Sequence, residues 1–212
     1  MKVEIFSDIA CPFCFIGTRN FARALEASGR GGEVEVIWRS FQLDPSAPRR
    51  SEGDLYDHLT RKFGISRDEA MAMSDRVVAM GHEADIDFEF GNAFAVNTFD
   101  AHRMLKLAAE AGAGAEMAER LFDAYFTGSS DLSDRDDLVG LAVSVGIPAG
   151  RAGEVAAGDG FADQVRADQR LASEFGIAGV PAFIFDRKTA VSGAQPSELL
   201  GRAIDHAMTP AA

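Results

Sequence analysis

The N-terminal part of the chain alternates between strand-like and helix-like patterns. Residues 3–7 predict a short buried strand, and residues 33–39 (EVEVIWR), which begin with alternating polar and apolar positions, predict a second strand. Between them, apolar residues recur at spacings near 3.6 from Cys11 to about Ala27, and the glycine-rich residues 28–32 end this helix. The order strand–helix–strand predicts a right-handed parallel crossover.

The middle of the chain has helical periodicity throughout. Two capping boxes, Ser66 with Glu69 and Ser133 with Asp136, each precede an apolar run with helical spacing. The predicted helices cover, in chain order, residues 70–80, 98–111, 115–126, 138–145 and 161–175.

The C-terminal part returns to strands. Residues 179–185 predict a strand that begins at the proline, residues 189–192 a short partner strand, and residues 195–207 a closing helix. The fold class is therefore α/β, with helices inserted between the two ends of the chain. The predicted domains are residues 1–48 together with 176–212, which form the α/β unit, and residues 49–175, which form the inserted all-helical subdomain.

The chain contains two cysteines, Cys11 and Cys14, and their CxxC spacing follows a strand and opens a helix. A thiolate is the form that attacks a disulfide, and the unpaired N–H groups and positive dipole end of a helix start stabilise that anion. Pro12 fits the first helical turn, where its missing N–H needs no partner. We therefore predict that Cys11 is the attacking nucleophile and that Cys14, which we expect to be more buried, is the resolving thiol.

Two other interpretations of this pair are a packed apolar pair and half of a zinc site. A four-ligand zinc site needs two further Cys or His side chains at paired spacing. The four histidines do not supply such a pair: His58, His82, His102 and His206. No metal site is predicted.

The net charge of the chain limits the classes of molecule that it is expected to bind. The chain carries 33 acidic and 21 basic residues, a formal net charge of −12. This excess argues against binding to nucleic acid or to an anionic membrane surface. Glu4 and Asp8 interrupt any N-terminal apolar run, and no stretch reaches the ~20 apolar residues of a membrane helix. We expect a cytoplasmic protein, either monomer or homodimer.

Four segments together resemble one family. They are residues 8–14 (DIACPFC), 38–45 (WRSFQLDP), 97–103 (NTFDAHR) and 179–181 (GVP). With the helical insertion they resemble the FrnE-like branch of the DsbA family, which belongs to the thioredoxin superfamily. The resemblance covers nearly the whole chain and implies a thioredoxin-like fold with an inserted all-helical subdomain.

The resemblance also implies roles for residues around the dithiol. Pro181 would follow a cis peptide bond from Val180 and face the CxxC motif, and the backbone of Val180 would pair with an extended substrate. From sequence alone, a trans proline that starts an edge strand is an equal alternative. Pro12 and Phe13 would contact substrate, and Phe13 stands where the branch commonly has tryptophan.

Four further residues are candidates for the site. Asn97 and His102 lie in the helical region that borders the substrate cleft in related proteins, and we list them as pocket residues. Asp8 and Glu4 are candidate proton relays for Cys14. The alternatives are a packed or solvated histidine, a solvated loop aspartate and an edge-facing glutamate.

The function predicted from these residues is thiol–disulfide exchange with protein, peptide or small-molecule substrates, through a mixed disulfide on Cys11. No tightly bound cofactor is expected, and glutathione is a candidate redox partner. Two alternatives stay open. One is a glutathione-dependent isomerase or transferase like the hydroxychromene-carboxylate isomerases, and the other is a non-catalytic peptide-binding or chaperone-like module.

Overall fold

The computed structural model describes residues 1–209, which fold around a four-stranded sheet. The strands are β1 (Lys2–Ser7), β2 (Glu35–Ser40), β3 (Ala182–Phe185) and β4 (Thr189–Ser192). Their order in the sheet is β2-β1-β3-β4; β2 is parallel to β1, and the other neighbours are antiparallel. The predicted parallel crossover is therefore confirmed.

Nine α-helices complete the described part of the chain. They are α1 (Pro12–Ser28), α2 (Leu55–Phe63), α3 (Arg67–Glu83), α4 (Phe99–Glu110), α5 (Gly114–Thr127), α6 (Arg135–Ser144), α7 (Ala149–Ala157), α8 (Ala162–Glu174) and α9 (Ser197–Met208). Helices α2–α8 lie between β2 and β3, which confirms the α/β fold with a helical insertion. The domain boundaries stay a prediction, and residues 210–212 of the predicted C-terminal domain lie outside the described residues.

Side-chain caps mark the starts of three helices in the described chain: α2, α3 and α6. The predicted capping box of Ser66 and Glu69 is present at the start of α3. The one predicted at Ser133 is wrong by a residue: Asp134 caps α6, because its carboxylate accepts from the backbone N–H groups of Asp136 and Asp137. The Ser133 hydroxyl instead donates to Asp131 at 2.6 Å.

Two helices and two strand ends differ from the prediction. Helices α2 and α7 were not predicted, because each has only nine residues and α7 contains two glycines. The strand predicted from residue 33 begins at Glu35, after a single 3-10 turn at Gly31–Glu33. The strand predicted to begin at Pro181 begins one residue later, at Ala182.

The two faces of the sheet pack against different helices. Val3 and Ile5 of β1 belong to the main core, which continues through α1 into the inserted helices. Phe6 points to the opposite face and packs with Ala172 of α8. The Phe15 ring, next to Cys14 on α1, stacks on Phe122 of α5 with ring centroids 5.0 Å apart. The CxxC helix is therefore packed directly against the insertion.

Candidate active site

The two cysteines lie at the start of α1, directly after the loop that leaves β1. Cys11 is the N-cap residue and Pro12 is the first residue of the helix. The backbone N–H of Cys11 donates a 3.1 Å hydrogen bond to the carbonyl of Asp8 and closes this loop. The helix therefore begins at the CxxC motif, where its first N–H groups point towards the Cys11 sulfur.

The two thiols differ in burial and in acidity. Cys14 is fully buried, as predicted, and Cys11 is 4% exposed. A hydrogen bond with the Cys14 thiol lowers the pKa of Cys11; backbone N–H groups add to this effect, while burial and the Asp8 charge oppose it. Burial, followed by the neighbouring Cys11 sulfur, raises the pKa of Cys14 well above its ordinary value. Cys11 is therefore the thiol that ionises first.

The segment before β3 faces the dithiol. The Val180–Pro181 peptide bond is cis, and the Cys11 thiol lies 3.7 Å from the Val180 carbonyl oxygen. The backbone N–H groups of residues 178–180 donate to no group in the described part of the chain. This segment therefore presents free backbone donors beside Cys11.

A cavity of about 310 Å³ opens beside Cys11, bounded by the start of α1 and by α2, α3 and α5. Its walls are mainly apolar and include Leu55, Leu59, Val77, Phe90, Val96 and Phe126. Three large apolar side chains at its mouth are exposed: Phe13, Leu43 and Phe63. Pro12 also lines the cavity, so both residues between the cysteines border this space.

Asp8 is buried beside the dithiol and also lines the cavity. Its Oδ1 accepts from the Thr98 hydroxyl at 2.7 Å, and its Oδ2 accepts from the backbone N–H of Leu43 at 2.7 Å. His102 Nε2 lies 3.3 Å from Oδ1. These donors all suit an ionised carboxylate, so the geometry favours Asp8 as a fixed negative charge over the predicted proton relay.

Known proteins are similar to this chain in sequence and fold over nearly its whole length. Residues 2–205 match the DSBA-like thioredoxin domain family. The chain belongs to this family. The crystal structure of a probable DsbA oxidoreductase from Streptomyces coelicolor is 37% identical to the DsbA-like chain, with a TM-score of 0.90. The match covers 100% of this chain and 93% of that one.

Two more distant structures share the DsbA-like fold. A 2-hydroxychromene-2-carboxylate isomerase is 12% identical, with a TM-score of 0.73, over 97% of this chain and 95% of that chain. The cytosolic disulfide reductase DsbM from Pseudomonas aeruginosa, solved with GSH, is 17% identical, with a TM-score of 0.66. The match covers 98% of this chain and 96% of that chain. At these identities the likeness shows the fold alone, and the FrnE-like branch stays a prediction.

His102 of the DsbA-like chain is fully buried and lies behind Asp8, not in the cavity. Its Nε2 is 3.1 Å from the carbonyl oxygen of Phe41 and 3.3 Å from Asp8 Oδ1. Because both neighbours are acceptors, the tautomer protonated at Nε2 fits the site. The structure therefore does not bring His102 to the predicted pocket. Instead, His102 holds Asp8 and the backbone after β2 in place.

Glu4 lies on the opposite face of the sheet from Cys14. Side chains alternate along β1, so Glu4 shares the α8 face with Phe6. Its buried carboxylate accepts hydrogen bonds from Arg187 and Arg39, and these two guanidinium groups lower the pKa of Glu4. The structure therefore does not bring Glu4 to the dithiol as a proton relay.

Asn97 also lies outside the cavity beside Cys11. Its amide nitrogen donates to the carbonyl of Ala47 at 2.8 Å. Its Oδ1 accepts at 3.0 Å from Gln42 Nε2 and at 3.0 Å from the backbone N–H of Phe99. Both polar atoms of this amide are hydrogen-bonded within the protein. Asn97 therefore links the loop after β2 to the start of α4 and does not contact the predicted pocket.

Helix α2 supplies one cavity wall that the sequence analysis missed. His58, Leu59 and Lys62 of this helix line the cavity. The signal was present: Asp54, the N-cap residue, and Asp57, the third residue of the helix, form a capping box at its start. The helix was overlooked because it is short and mainly polar.

Residues 1–209 contain neither a metal-binding cluster nor a membrane-spanning helix. No group of three or more His, Cys, Asp or Glu side chains is arranged to hold a metal ion there. Within the same range, every helix is too short or too polar to cross a membrane.

Proposed function

We propose that this DsbA-like chain is a thiol–disulfide oxidoreductase in which Cys11 is the nucleophile. The observation that carries the proposal is the asymmetry of the dithiol. The pKa of Cys11 is lowered and that of Cys14 is raised, and the Cys11 thiol faces the Val180 carbonyl. A pair with one acidic, cavity-lining thiol and one fully buried thiol suits ordered exchange.

The reaction proceeds in two displacements. The Cys11 thiolate attacks one sulfur of a substrate disulfide, the substrate S–S bond breaks, and the second substrate sulfur leaves as a thiolate. Cys14 then attacks the Cys11 sulfur of the mixed disulfide and releases the first substrate sulfur. The substrate gains two electrons, the protein forms a Cys11–Cys14 disulfide, and the two thiol protons pass to the released thiolates. The reverse sequence oxidises a dithiol substrate.

The backbone before β3 supports a mode of substrate binding. We expect an extended peptide segment to pair with the free N–H groups of residues 178–180 and to bring its sulfur to Cys11. Phe13 and Pro12 would contact the same substrate at the mouth of the cavity. Their apolar surfaces suit side chains without charge.

Turnover as a reductase requires a thiol that reduces the Cys11–Cys14 disulfide, and we propose glutathione for this role. A structure with the same fold, DsbM, was solved with GSH and is described as cytosolic. The same likeness supports a cytoplasmic location, in which glutathione is abundant and structural disulfides are rare.

A pair of single substitutions tests the exchange mechanism. Cys14→Ser should accumulate a mixed disulfide between Cys11 and one chain of insulin after attack on an insulin disulfide, because the resolving thiol is absent. Cys11→Ser, the matched control, should form no adduct and should lose insulin-reducing activity. Mass spectrometry of the quenched reaction identifies the adduct. Full activity in Cys11→Ser, or an adduct on Cys14 in that variant, would contradict the proposal.

A further inference from the structure

The polar side chains that line the cavity beside Cys11 fall into two groups. Most are already engaged by the protein itself. Thr98 donates to Asp8, the Ser74 hydroxyl donates to the Ala70 carbonyl at 2.9 Å, and the Asp44 carboxylate accepts from Ser46. Tyr125 is buried, and burial raises the pKa of its phenol well above the ordinary value.

His58 and Lys62 form the second group. They are four positions apart on α2, so they lie on the same side of that helix, and both line the cavity. Neither side chain has a hydrogen bond or an ion pair with any residue from 1 to 209. Lys62 is exposed at the edge of the cavity, with its Nζ 5.8 Å from the centre of the Phe63 ring, and the Asp44 carboxylate is the acidic group whose charge acts on both side chains. Burial, aided by Lys62 and Arg61, lowers the pKa of His58, which leaves this imidazole neutral at pH 7 and able to donate one hydrogen bond.

We propose that the cavity binds a small disulfide or thiol with an apolar body and an acidic group, and that Lys62 holds the acidic group. This inference rests on the proposed function and names the substrate class of the same site. The cavity carries Cys11 on one wall and Lys62 on another, and most of the residues that line it are apolar. His58 donates to the same acidic group.

Size and charge both favour a small ligand of this class. A volume of about 310 Å³ is at the lower end of the range for small-molecule sites and accommodates a body of one or two rings. An unpaired ammonium group beside apolar walls is most favourably matched by a carboxylate or similar anion.

The exchange chemistry is the one already described. The Cys11 thiolate attacks the bound disulfide and forms a mixed disulfide, and Cys14 displaces the second half of the ligand. Two thiol products leave with two electrons from the Cys11–Cys14 pair. A single turnover of pre-reduced protein requires no added reductant, and further turnovers use a thiol such as glutathione.

The test compares two aromatic disulfides in single-turnover reactions with pre-reduced protein. One carries carboxylates, 5,5′-dithiobis(2-nitrobenzoate), and the other is neutral, 2,2′-dithiodipyridine. Lys62→Met should lower the ratio of the two second-order rate constants, carboxylated over neutral, by about tenfold, because a charge-assisted contact is lost. Lys188→Met is the matched control: Lys188 is exposed, has no ion pair within the described chain, and does not line the cavity. It should leave the ratio unchanged.

A binding measurement separates the ligand from the redox chemistry. Cys11→Ser protein should bind 2-naphthoate, which cannot react, and adding Lys62→Met should weaken that binding about tenfold by calorimetry. If the wild type reacts with neither disulfide while naphthoate still binds through Lys62, the proposed function fails and the acid-binding cavity stands. If naphthoate binds equally with and without Lys62, or the rate ratio does not change, the ligand class is overturned and the exchange function is unaffected.

Discussion

A Cβ atom on Gly17 would lie 2.8 Å from Cγ of Pro181, closer than two carbon atoms normally approach. Gly17 is on α1, three residues after Cys14, and Pro181 follows the Val180 carbonyl that faces Cys11. The missing side chain therefore sets how closely the CxxC helix approaches the segment before β3. Nothing in the helical pattern of α1 marks this glycine as special.

Gly17→Ala should therefore impair the site although alanine favours helices. Because the proline ring cannot rotate away, we expect a loss of about 1–3 kcal/mol in the free energy of unfolding. Displacement of Val180 from Cys11 should slow insulin reduction roughly tenfold or more. Urea denaturation and the insulin assay measure the two effects.

Gly201→Ala is the control for that substitution. Gly201 lies inside α9, and a Cβ atom there meets nothing within 4 Å. This variant should gain about 0.5–1 kcal/mol in the free energy of unfolding, as expected for Gly to Ala in a helix, with full activity. If both variants behave alike, the contact with Pro181 does not position the site.

Asp8→Asn should change both the acidity of Cys11 and the stability of the protein. The Asp8 charge raises the pKa of Cys11, so its removal should lower that pKa further and shift the pH profile of Cys11 alkylation by iodoacetamide to lower pH. The new amide group also faces donors from Thr98, Leu43 and His102, and one of them loses its acceptor. We expect a loss of about 1–3 kcal/mol in the free energy of unfolding.

The same variant distinguishes a fixed charge from a proton relay. As a fixed charge, Asp8 acts on Cys11 through its field, and the alkylation profile moves. As a relay for Cys14, Asp8 would act only when the mixed disulfide is resolved. An unchanged profile with slow release of the Cys11 adduct would therefore support the relay and contradict the fixed-charge interpretation.

Asp168→Asn should destabilise the sheet face that α8 covers. The buried Asp168 carboxylate pairs with Lys106 and with Arg39 at 3.0 Å, and accepts the backbone N–H of Ser40 at 2.9 Å. Removal of its charge leaves Lys106 buried without a counterion, and we expect a loss of about 3–5 kcal/mol in the free energy of unfolding. The matched control is Asp163→Asn on the same helix, an exposed partner of Arg166, which should cost no more than about 0.5 kcal/mol.

The pH dependence of this destabilisation has a definite sign. Burial lowers the pKa of Lys106, and loss of the Asp168 charge should lower it further. At pH values between the lowered pKa of Lys106 in the folded protein and its unfolded pKa of about 10.4, Lys106 binds a proton in the unfolded chain but not in the folded one. The free energy of unfolding therefore rises with pH over this range. The deficit of Asp168→Asn relative to wild type should therefore shrink between pH 6 and pH 9 in urea titrations. A deficit that grows with pH would contradict the role assigned to Lys106.

The sequence by itself determined the features whose causes are local. A strand followed by Cys11, Pro12 and a helical apolar stripe places the dithiol at a helix start, because each of these signals acts within one or two turns. The capping box at Ser66 is equally local. Periodicity likewise predicted the α/β ends and the helical insertion between them.

Only the tertiary structure decided which distant residues share the site. Asp8 and Glu4 are both acidic residues near Cys11 in sequence. Asp8, in the loop after β1, lines the cavity, whereas Glu4, within β1, lies on the opposite face of the sheet because side chains alternate along the strand. Thr98 meets Asp8 across 90 positions, and Val180 meets Cys11 across 169. The cavity wall formed by His58 and Lys62 and the contact of Gly17 with Pro181 arise in the same way. Such neighbours depend on how whole helices pack, which no short pattern of residues encodes.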